Sequence, residues 1–320
     1  MSEKQKTILV TGGSGYIGSV TCKFLVDSGH NVINIDRVKR QQEGVHQYPF
    51  DIDNHQLEGV IALTKPDAVI HLAADHSVPL SIGNPADTYY NNVANSVALL
   101  KHCVKNGVKH FVFSSSSSVY GNSDFVVNSE TDPTNPLTPY GRSKQMIETV
   151  LKDFSNAYDL TFASLRYFNA AGSSEGLGYT LEPKSHLVPI VVDKALNGET
   201  FTINGDDYET KDGTCERDYT HVSDIASAHI SALNYLFDGG DGGIFNVGGG
   251  HSSSIKEVIA EVEKQLNLTI DTEVGPKREG DADVTSANVA RAWEEFGWES
   301  QFDLEDIVKD EIAFQQSQKK

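Results

Sequence analysis

A strand, a glycine-rich turn and a helix follow one another at the start of the chain. Residues 7–10 are apolar, residues 11–18 read TGGSGYIG, and residues 20–28 have a helical pattern. Glycines let the backbone pass close to a pyrophosphate, and the amino end of a helix presents free amides and the positive end of its dipole. A glycine pattern alone often marks only a tight turn, but in this order of elements it indicates a dinucleotide-binding α/β fold.

An acidic residue follows the second strand. Residues 31–35 form the next apolar segment and lead into Asp36, at nearly the distance expected for the carboxylate that binds an adenosine ribose. A carboxylate here favours NAD, because it would repel the additional phosphate of NADP. Arg37, Lys39 and Arg40 leave the alternative open, since basic side chains at this place could hold that phosphate.

Strands and helices continue to alternate further along the chain. Residues 67–74 read as a buried strand, residues 88–106 as a helix, and residues 111–113 as a short strand. This alternation predicts a doubly wound parallel sheet, a Rossmann fold with helices on both faces. Ligands of such folds bind beyond the carboxyl ends of the strands. Asp51 and Ile52 fit either a contact with adenine or a helix cap.

A serine run and a Tyr–Lys pair follow that short strand. Five serines occupy residues 114–118, and Tyr140 and Lys144 stand four residues apart where a helical pattern begins, so they share one helix face. A free tyrosine has a pKa of about 10, so its use as a base near pH 7 requires about 3 to 4 kcal/mol of phenolate stabilisation. A lysine ammonium and a cationic nicotinamide supply parts of this. The alternatives are a flexible serine loop and an ordinary pair on a helix surface.

The overall composition restricts the class of protein and its partners. The 320 residues carry a formal net charge of −19 at pH 7, which argues against nucleic-acid binding, since phosphate contacts require clustered lysine and arginine. The three cysteines lack the spacing of metal ligands or of a disulfide framework, so we predict no metal site and a reducing compartment. Residues 1–6 are polar, and we expect a cytoplasmic protein without membrane contact.

The second half of the chain has a different pattern. From residue 173 onward apolar strand segments become sparse and polar loops more frequent, which indicates a second, smaller α/β substrate domain. We predict a Rossmann domain over residues 1–172 and the smaller domain over residues 173–320, with a return of about 215–248 to the first. The return contains a helical pattern at 225–237 and a strand pattern at 244–247.

The sequence resembles the extended short-chain dehydrogenase/reductase superfamily in Asp36 and in five motifs. These are TGGSGYIGS (11–19), HLAA (71–74), SSSSSVYG (114–121), YGRSK (140–144) and LRYFNAAG (165–172). Within that superfamily, residues 204–222 and the motif REGD at 278–281 strongly resemble the UDP-glucose 4-epimerase family. The similarity extends from about residue 6 to about residue 298.

The resemblance implies that Ser116, Tyr140 and Lys144 are the catalytic residues. Ser116 would hydrogen-bond the sugar 4-hydroxyl, Tyr140 would take its proton, and Lys144 would bind the nicotinamide ribose and tune Tyr140. Dehydratases of the superfamily carry an acidic pair where this chain has Ser116 and Ser117, so the general acid for water elimination is missing. The implied reaction interconverts UDP-glucose and UDP-galactose by reversible hydride transfer from C4 to tightly bound NAD, through a 4-keto sugar.

Two sets of binding residues also follow from the resemblance. The implied NAD site consists of Gly12, Gly15, Tyr16, Ile17, Gly18, Asp36, Asp51, Ile52, Leu72, Ala73, Ala74, Asn91, Ser114, Tyr140, Lys144 and Phe168. The implied UDP-sugar site consists of Ser116, Asn169, Leu187, Asn204, Arg217, Tyr219, Arg278, Asp281 and Thr285. Arg217 and Arg278 would grip the diphosphate, for which the guanidinium fork is suited, and Asp281 would bind the uridine ribose. Surface salt bridges are the alternative for the two arginines.

Thr285 falls on the position that gates the sugar pocket in the family, where some members have tyrosine and others a smaller residue. A small gate leaves room for an N-acetyl group, so we hypothesise that UDP-GlcNAc and UDP-GalNAc are accepted as well. Two other functions stay open, a UDP-pentose or UDP-uronate 4-epimerase and a non-catalytic NAD-binding regulator. The helices at 88–106 and 143–155 would pair in a homodimer, as the resemblance implies.

Overall fold

The computed structural model describes residues 5–123, 125–277 and 282–319. Its strands are, in chain order, β1 (Thr7–Thr11), β2 (Asn31–Ile35), β3 (Val45–Tyr48), β4 (Ala68–His71), β5 (His110–Ser116), β6 (Val127–Asn128), β7 (Thr161–Tyr167), β8 (Asn169–Ala171), β9 (Phe201–Asn204), β10 (Glu216–Arg217), β11 (Tyr219–His221), β12 (Gly243–Val247), β13 (Ser253–Ser254), β14 (Thr272–Gly275) and β15 (Val284–Ala287).

Helices connect most of these strands. They are α1 (Tyr16–Asp27), α2 (Leu57–Thr64), α3 (Val78–Gly83), α4 (Pro85–Tyr89), α5 (Asn95–Lys105), α6 (Pro139–Ala157), α7 (Leu187–Asn197), α8 (Val222–Phe237), α9 (Ile255–Leu266), α10 (Ala290–Phe296) and α11 (Leu304–Gln318). A π-helical turn, Tyr90–Ala94, joins α4 to α5, and a 3-10 turn, Ser117–Val119, follows β5.

Seven strands form one sheet in the order β12-β7-β5-β4-β1-β2-β3. All neighbouring strands in it run parallel. The chain proceeds from β1 to β2 and β3 on one side and then to β4, β5 and β7 on the other, so the strand order reverses between β1 and β4. The predicted doubly wound Rossmann sheet is confirmed, and the crevice at this reversal is where such folds bind ligands.

Both faces of the large sheet are buried under helices. Ile8 and Val10 belong to a core with residues of α1 and α8, whereas Leu9 belongs to a second core with residues of α2, α5 and α6. Successive side chains of a strand point to opposite faces, so strands buried on both faces must be apolar throughout. This explains the continuous apolar segments of the sequence, and each fully buried side chain of this size contributes about 1.5–3 kcal/mol.

A second, smaller core lies in the C-terminal half of the chain. Apolar side chains of α7, α9 and α11 pack there with residues of β9, and β9 pairs in parallel with β14. Helix α9 begins with a capping box, in which the Ser254 hydroxyl accepts from the Glu257 amide and the Glu257 carboxylate accepts from the Ser254 amide. The strand at Gly243–Val247 joins the edge of the large sheet beside β7. The division into domains at residue 172 stays a prediction.

Two elements differ from their sequence prediction. β5 continues through Ser116 instead of ending at residue 113, because Ser114–Ser116 complete the parallel ladder with β7. The single helix expected over 88–106 is divided into α4, the π-turn and α5. Within the π-turn, Asn92 bonds the loop after β4 through two contacts with the backbone of Asp75, of 2.7 and 2.9 Å. Such turns occur often at functional sites.

Candidate functional site

Ser116 and the pair Tyr140 and Lys144 come from two neighbouring elements of the large sheet. Ser116 is the last residue of β5, and α6, which carries the pair, packs against β5 and β7. Pro139 opens this helix with a φ that suits the first helical position, and the Thr138 hydroxyl caps it by accepting a first-turn amide at 3.2 Å. The structure therefore brings the three predicted catalytic residues to the same end of the sheet.

Lys144 is almost fully buried against β5. Its Nζ donates a hydrogen bond of 2.7 Å to the carbonyl oxygen of Ser114 and lies 4.9 Å from the centre of the Phe113 ring. Burial lowers the pKa of Lys144 to about 7, although Glu148 acts to raise it. The lysine side chain is consequently fixed in position, and its charge is sensitive to pH near neutrality.

Without a bound cofactor, the Tyr140 hydroxyl holds its proton more tightly than a free tyrosine does. Burial raises the pKa of Tyr140, and the side chain of Ser116 lowers it through a hydrogen bond. Nζ of Lys144 lies 5.7 Å from the centre of the Tyr140 ring. Because the lysine pKa is near 7 and the tyrosine pKa is above its usual value, the lysine loses its proton first as the pH rises. A further positive charge is therefore required to hold the phenolate beside an ammonium.

The glycine turn between β1 and α1 has room only for glycine at two of the predicted positions. Gly12 has a φ of +77°, and a Cβ there would lie 2.6 Å from the amide nitrogen of Ala73. A Cβ on Gly18 would lie 2.1 Å from the carbonyl oxygen of Gly12. Gly15 is the N-cap of α1 and offers no side-chain cap to the first amides. The turn thus packs directly on the end of β4 and leaves the amino end of α1 available to a phosphate group.

Asp36 lies beside this turn at the end of β2. Its carboxylate accepts hydrogen bonds from the amides of Ser14, at 2.9 Å, and Val38, at 2.8 Å. The Ser14 hydroxyl in turn donates to the carbonyl oxygen of Val38 at 2.8 Å. The carboxylate is held between the glycine turn and the next loop, where an adenosine ribose would be within its reach.

The remaining predicted residues on the adenine side lie close by. Ile52 is buried, and its amide donates to the Asp51 carboxylate at 2.7 Å. The Arg37 guanidinium lies 3.9 Å from the same carboxylate in an exposed ion pair, and Arg40 lies 3.5 Å from the carbonyl oxygen of Ser14. Two of the three basic residues that left NADP open therefore contact other groups, Arg37 the Asp51 carboxylate and Arg40 the glycine turn.

The loop after β4 follows the glycine turn closely. The amide of Leu72, which precedes Ala73 and Ala74, donates to the carbonyl oxygen of Thr11 at 3.0 Å. Asn91 in the π-turn donates to the Asp75 carboxylate at 2.6 Å. These bonds join the loop to the turn on one side and to the π-turn on the other, at the carboxyl ends of β1 and β4.

Phe168, Asn169 and Tyr219 lie where the chain leaves β7. Phe168 is buried, and its amide donates to the carbonyl oxygen of Val247 at 3.2 Å. Asn169 opens β8, which pairs in parallel with β11 so that Asn169 stands opposite Tyr219. The side chain of Asn169 is exposed. This short sheet extends the site beyond the carboxyl end of β7.

Arg217 and Thr285 are partners in another small sheet. They stand opposite each other in the parallel pair β10 and β15. Arg217 donates to the carbonyl oxygens of Glu216 and Ala282, at 2.8 Å each. Arg278 and Asp281 lie outside the described residues. The sequence placed Arg217 and Thr285 in one site, and the structure makes them neighbours.

Leu187 and Asn204 lie on separate elements of the C-terminal half. Leu187 is the first residue of α7, and Asn204 is the last residue of β9. Helix α7 packs against β8, the strand that begins with Asn169. Their assignment to the substrate stays a prediction.

Asp218, between β10 and β11, was missed by the sequence analysis. Its buried carboxylate accepts from the amides of Gly249, Gly250 and Ala287, at 2.6, 3.0 and 3.0 Å. Burial raises its pKa, while these hydrogen bonds lower it. The carboxylate thus joins the segment after Arg217 to Gly249 and Gly250 and to the end of β15. The sequence offered no signal for contacts between positions so far apart.

A buried ion pair behind Lys144 was missed as well. Glu148 binds Arg166 of β7 through two bonds of 2.9 and 2.7 Å. The spacing of four residues between Lys144 and Glu148 predicts that they share a helix face. Nothing in the sequence identified Arg166 as the partner, because the pairing depends on the register of β7 against α6.

Two features are absent from the described residues. No helix of residues 5–123, 125–277 and 282–319 is long and apolar enough to cross a membrane. Over the same residues, no group of three or more His, Cys, Asp or Glu side chains is arranged to hold a metal ion.

Comparison with known proteins agrees with the geometry of the site. The profile of the NAD dependent epimerase/dehydratase family matches residues 8–248. A UDP-glucose 4-epimerase of Halalkalibacterium halodurans is 42% identical over 311 residues, which are 94% of this chain and 93% of the relative.

Solved structures give the same comparison in three dimensions. The UDP-glucose 4-epimerase of Stenotrophomonas maltophila, crystallised with NAD and formylated UDP-arabinopyranose, has a TM-score of 0.94 and 35% identity, with 98% of this chain and 99% of that chain covered. The UDP-Glc/GlcNAc 4-epimerase of Campylobacter jejuni has a TM-score of 0.86 and 35% identity, with coverage of 98% and 99%. The sequence match over three quarters of the chain, the fold and the geometry of the site agree, and the chain belongs to the NAD dependent epimerase/dehydratase family.

Proposed function

We propose that this protein is an NAD-dependent UDP-glucose 4-epimerase, an isomerase that interconverts UDP-glucose and UDP-galactose. The observation that carries the proposal is the position of Tyr140 and Lys144 on one face of α6, beside Ser116 at the end of β5. The relatives and solved structures described above are UDP-sugar epimerases of similar length, which supports the same activity here.

The residues around the glycine turn fit NAD. Gly12 and Gly18 keep side chains out of the place where a pyrophosphate would pass, and the amino end of α1 would bind it. The carboxylate of Asp36 would accept hydrogen bonds from the adenosine ribose and repel an additional phosphate. When bound, NAD supplies a reversible hydride acceptor and a positive charge. That charge would meet the need for phenolate stabilisation at Tyr140.

Tyr140 and Ser116 would handle the proton of the sugar 4-hydroxyl. Ser116 would hydrogen-bond the hydroxyl, and Tyr140 would accept its proton as a base and later return it. Lys144 would hold the phenolate by its charge, since opposite charges favour the ionised form. Because proton and hydride both return to the sugar, the reaction is redox-neutral. Inversion at C4 requires that the sugar ring turn its other face before the hydride returns.

The serine that follows Ser116 favours epimerisation over dehydration within this family. Ser117 follows Ser116 where a dehydratase would carry an acid. Glu148 on the same helix as Tyr140 is bound in two places by Arg166. Both oxygens of this carboxylate are thus engaged by the guanidinium, away from a leaving hydroxyl.

The nucleotide would bind on the side of the small sheets. Arg217 would contact the diphosphate, and Asn169 and Tyr219 lie on the paired strands next to it. Leu187, Asn204, Arg278 and Asp281 complete this proposed set. Thr285 stands opposite Arg217 and has a short side chain, so we extend the proposal to UDP-N-acetylhexosamines. The Campylobacter jejuni enzyme, whose name includes UDP-GlcNAc, supports this extension.

A homodimer in the cytoplasm is the proposed working state. Exposed apolar side chains lie on α3, on the π-turn and on α6, against which the other two elements pack: Leu80, Ile82, Tyr90 and Met146. The three cysteines are buried thiols, which suits a reducing compartment. Mass measurement by light scattering would test the dimer, with Ile82→Glu and Met146→Glu as interface variants and Val274→Glu, on exposed β14, as the control.

Incubation of the purified protein with UDP-galactose, without added NAD, tests the function. UDP-glucose should form, and NAD should be released on denaturation of the protein. Tyr140→Phe should lose most turnover yet retain NAD, whereas Tyr158→Phe at the exposed end of α6 should be unchanged. Conversion of UDP-pentoses or UDP-uronates alone would favour the related epimerases. Retained NAD without any conversion would favour a regulator.

A further inference from the structure

We propose that Glu148 and Arg166 form a positioning pair that keeps Lys144 protonated while Tyr140 acts as the base. The inference rests on the proposed function and assigns a role to two residues outside the proposed catalytic set. Glu148 lies one helical turn after Lys144 on α6, and Arg166 lies on β7, the strand beside β5.

The pair is fully enclosed and well ordered by its neighbours. The guanidinium of Arg166 contacts both oxygens of Glu148, at 2.9 and 2.7 Å, and each side chain is 4% exposed. The Ser115 hydroxyl donates to the same carboxylate at 2.7 Å, and the Ser164 hydroxyl lies at 3.4 Å. The guanidinium also stacks 4.8 Å from the centre of the Tyr120 ring.

These contacts hold the Glu148 carboxylate in one position. Its oxygens receive a bidentate guanidinium and two hydroxyl groups, an arrangement that suits a carboxylate. A negative charge is therefore maintained at a fixed place behind Lys144, in a part of the protein from which water is excluded.

A nearby negative charge helps Lys144 to stay protonated despite its burial. Burial lowers its pKa to about 7, and Glu148 is the one charged group among the described residues that acts on it in the opposite direction. Tyr140, His71 and His76 lie near the lysine as well, and none of the three supplies a negative charge at neutral pH. Tyr140 is a phenol of raised pKa, and burial and the nearby lysine lower the pKa of His71, to about 3, and of His76.

The pair would control whether Lys144 or Tyr140 loses its proton first as the pH rises. A tyrosine base is effective only if its proton leaves while the neighbouring lysine keeps its own. Without Glu148 the lysine would lose its proton at lower pH, and the phenolate of Tyr140 would then lack its nearest fixed cation. A purely structural pair would hold α6 against β7 without any effect on these two ionisations.

The test compares the holoenzyme with Glu148→Gln, which keeps the shape of the side chain and removes its charge. The first readout is the ultraviolet difference titration of the Tyr140 phenolate, measured against Tyr140→Phe, with no sugar present. The second is the pH profile of kcat/KM for UDP-galactose. In Glu148→Gln the phenolate should appear at a higher pH, and the alkaline limb of the profile should move about one unit lower, as expected for loss of a nearby opposite charge.

Two further variants separate charge from folding. Glu148→Gln combined with Arg166→Met removes both buried charges, so no uncompensated ion remains to unfold the protein. It should show the same directions of shift. Asp153→Asn removes an exposed carboxylate from the same helix and should leave both readouts unchanged. Glu148→Asp, which keeps the charge, should show a phenolate titration close to that of the parent.

The outcomes distinguish this inference from the proposed function. A phenolate shift without any epimerase activity would support the role of Glu148 and reject the function. Epimerase activity with the same phenolate titration and pH profile in the parent and in both folded Glu148→Gln variants would overturn the inference and leave the function intact. If the Glu148→Gln variants were less stable but the ionisation of Tyr140 and Lys144 were unchanged, the pair would be only a structural contact.

Discussion

The Tyr16 hydroxyl donates a hydrogen bond of 2.5 Å to the carbonyl oxygen of Gly172, a residue 156 positions further along the chain. Tyr16 is the first residue of α1, directly after the glycine turn, and Gly172 follows β8 with a φ of +77°. The Tyr16 ring also meets Tyr179 edge to face, with 5.5 Å between ring centres. One side chain thus joins the proposed NAD side of the site to the segment that leads into the C-terminal half.

Tyr16→Phe should destabilise the protein modestly and loosen this junction. The change removes a buried hydrogen bond and leaves the Gly172 carbonyl without its donor, which costs about 1 kcal/mol. The free energy of unfolding, measured in urea, should fall by that amount while the edge-to-face ring contact is kept. Tyr235→Phe, which loses an exposed 3.0 Å bond to Glu295, is the matched control and should change little. Equal losses in both variants would contradict a special role for the Tyr16 bond.

Gly18→Ala should disrupt the glycine turn. A Cβ at Gly18 would lie 2.1 Å from the Gly12 carbonyl oxygen, so the backbone must move. Overpacking of this kind costs about 1–3 kcal/mol, and the displaced turn should lose bound NAD. Thermal unfolding and the NAD content of the purified variant measure the two effects.

Gly59→Ala in α2 is the control for this prediction. A Cβ there meets nothing within 4 Å, and alanine is favoured over glycine in a helix by about 1 kcal/mol. The variant should therefore be as stable as the parent or more so, with full NAD content. Retention of NAD and stability in Gly18→Ala would show that the turn tolerates displacement.

The order of the first strands and helices could be predicted because it depends on local patterns. Alternating apolar segments and the glycine turn indicated the doubly wound sheet, and the spacing of Tyr140 and Lys144 indicated a shared helix face. The prediction ended β5 at residue 113 because serines are poor markers of a buried strand. Only the pairing of Ser114–Ser116 with β7 reveals that the strand continues.

Contacts between distant segments could not be predicted from one sequence. Arg166 meets Glu148, and Asp218 meets Gly249 and Ala287, only because the sheet and the loops bring them together. Thr285 was placed by resemblance, and its pairing with Arg217 depends on the register of β15. Local periodicity contains no information on such register, so the electrostatics of the site had to come from the structure.

Stability should fall as the pH rises through the slightly acidic range, because of Glu311. This buried carboxyl group accepts a bond of 2.7 Å from Gln315, and burial raises its pKa to about 7. An unfolded glutamate ionises near pH 4.3. Between these values the folded state binds more protons than the unfolded state, so the group lowers stability progressively from about pH 4 to pH 7, by up to about 3 kcal/mol.

Glu311→Gln should remove this pH dependence. The amide imitates the protonated carboxyl group, so the variant should become more stable than the parent as the pH approaches 7 and differ little near pH 4. Urea unfolding at intervals of pH measures the difference. Glu294→Gln, an exposed residue of α10, should follow the parent at every pH. Parallel curves for Glu311→Gln and the parent would show that the pKa of Glu311 is not raised in the folded state.

Thr285→Tyr should narrow the range of sugars. Thr285 stands opposite Arg217 in the parallel pair of β10 and β15, so a phenol ring at this position would fill space next to the proposed diphosphate contact. A clash with an N-acetyl group would cost about 1–3 kcal/mol, and the rate with UDP-GlcNAc should fall about tenfold or more while UDP-galactose is still converted. Thr285→Val keeps the size of the side chain and should convert both sugars. Equal relative rates for the two sugars in Thr285→Tyr and in the parent would remove the argument for a gate at this position.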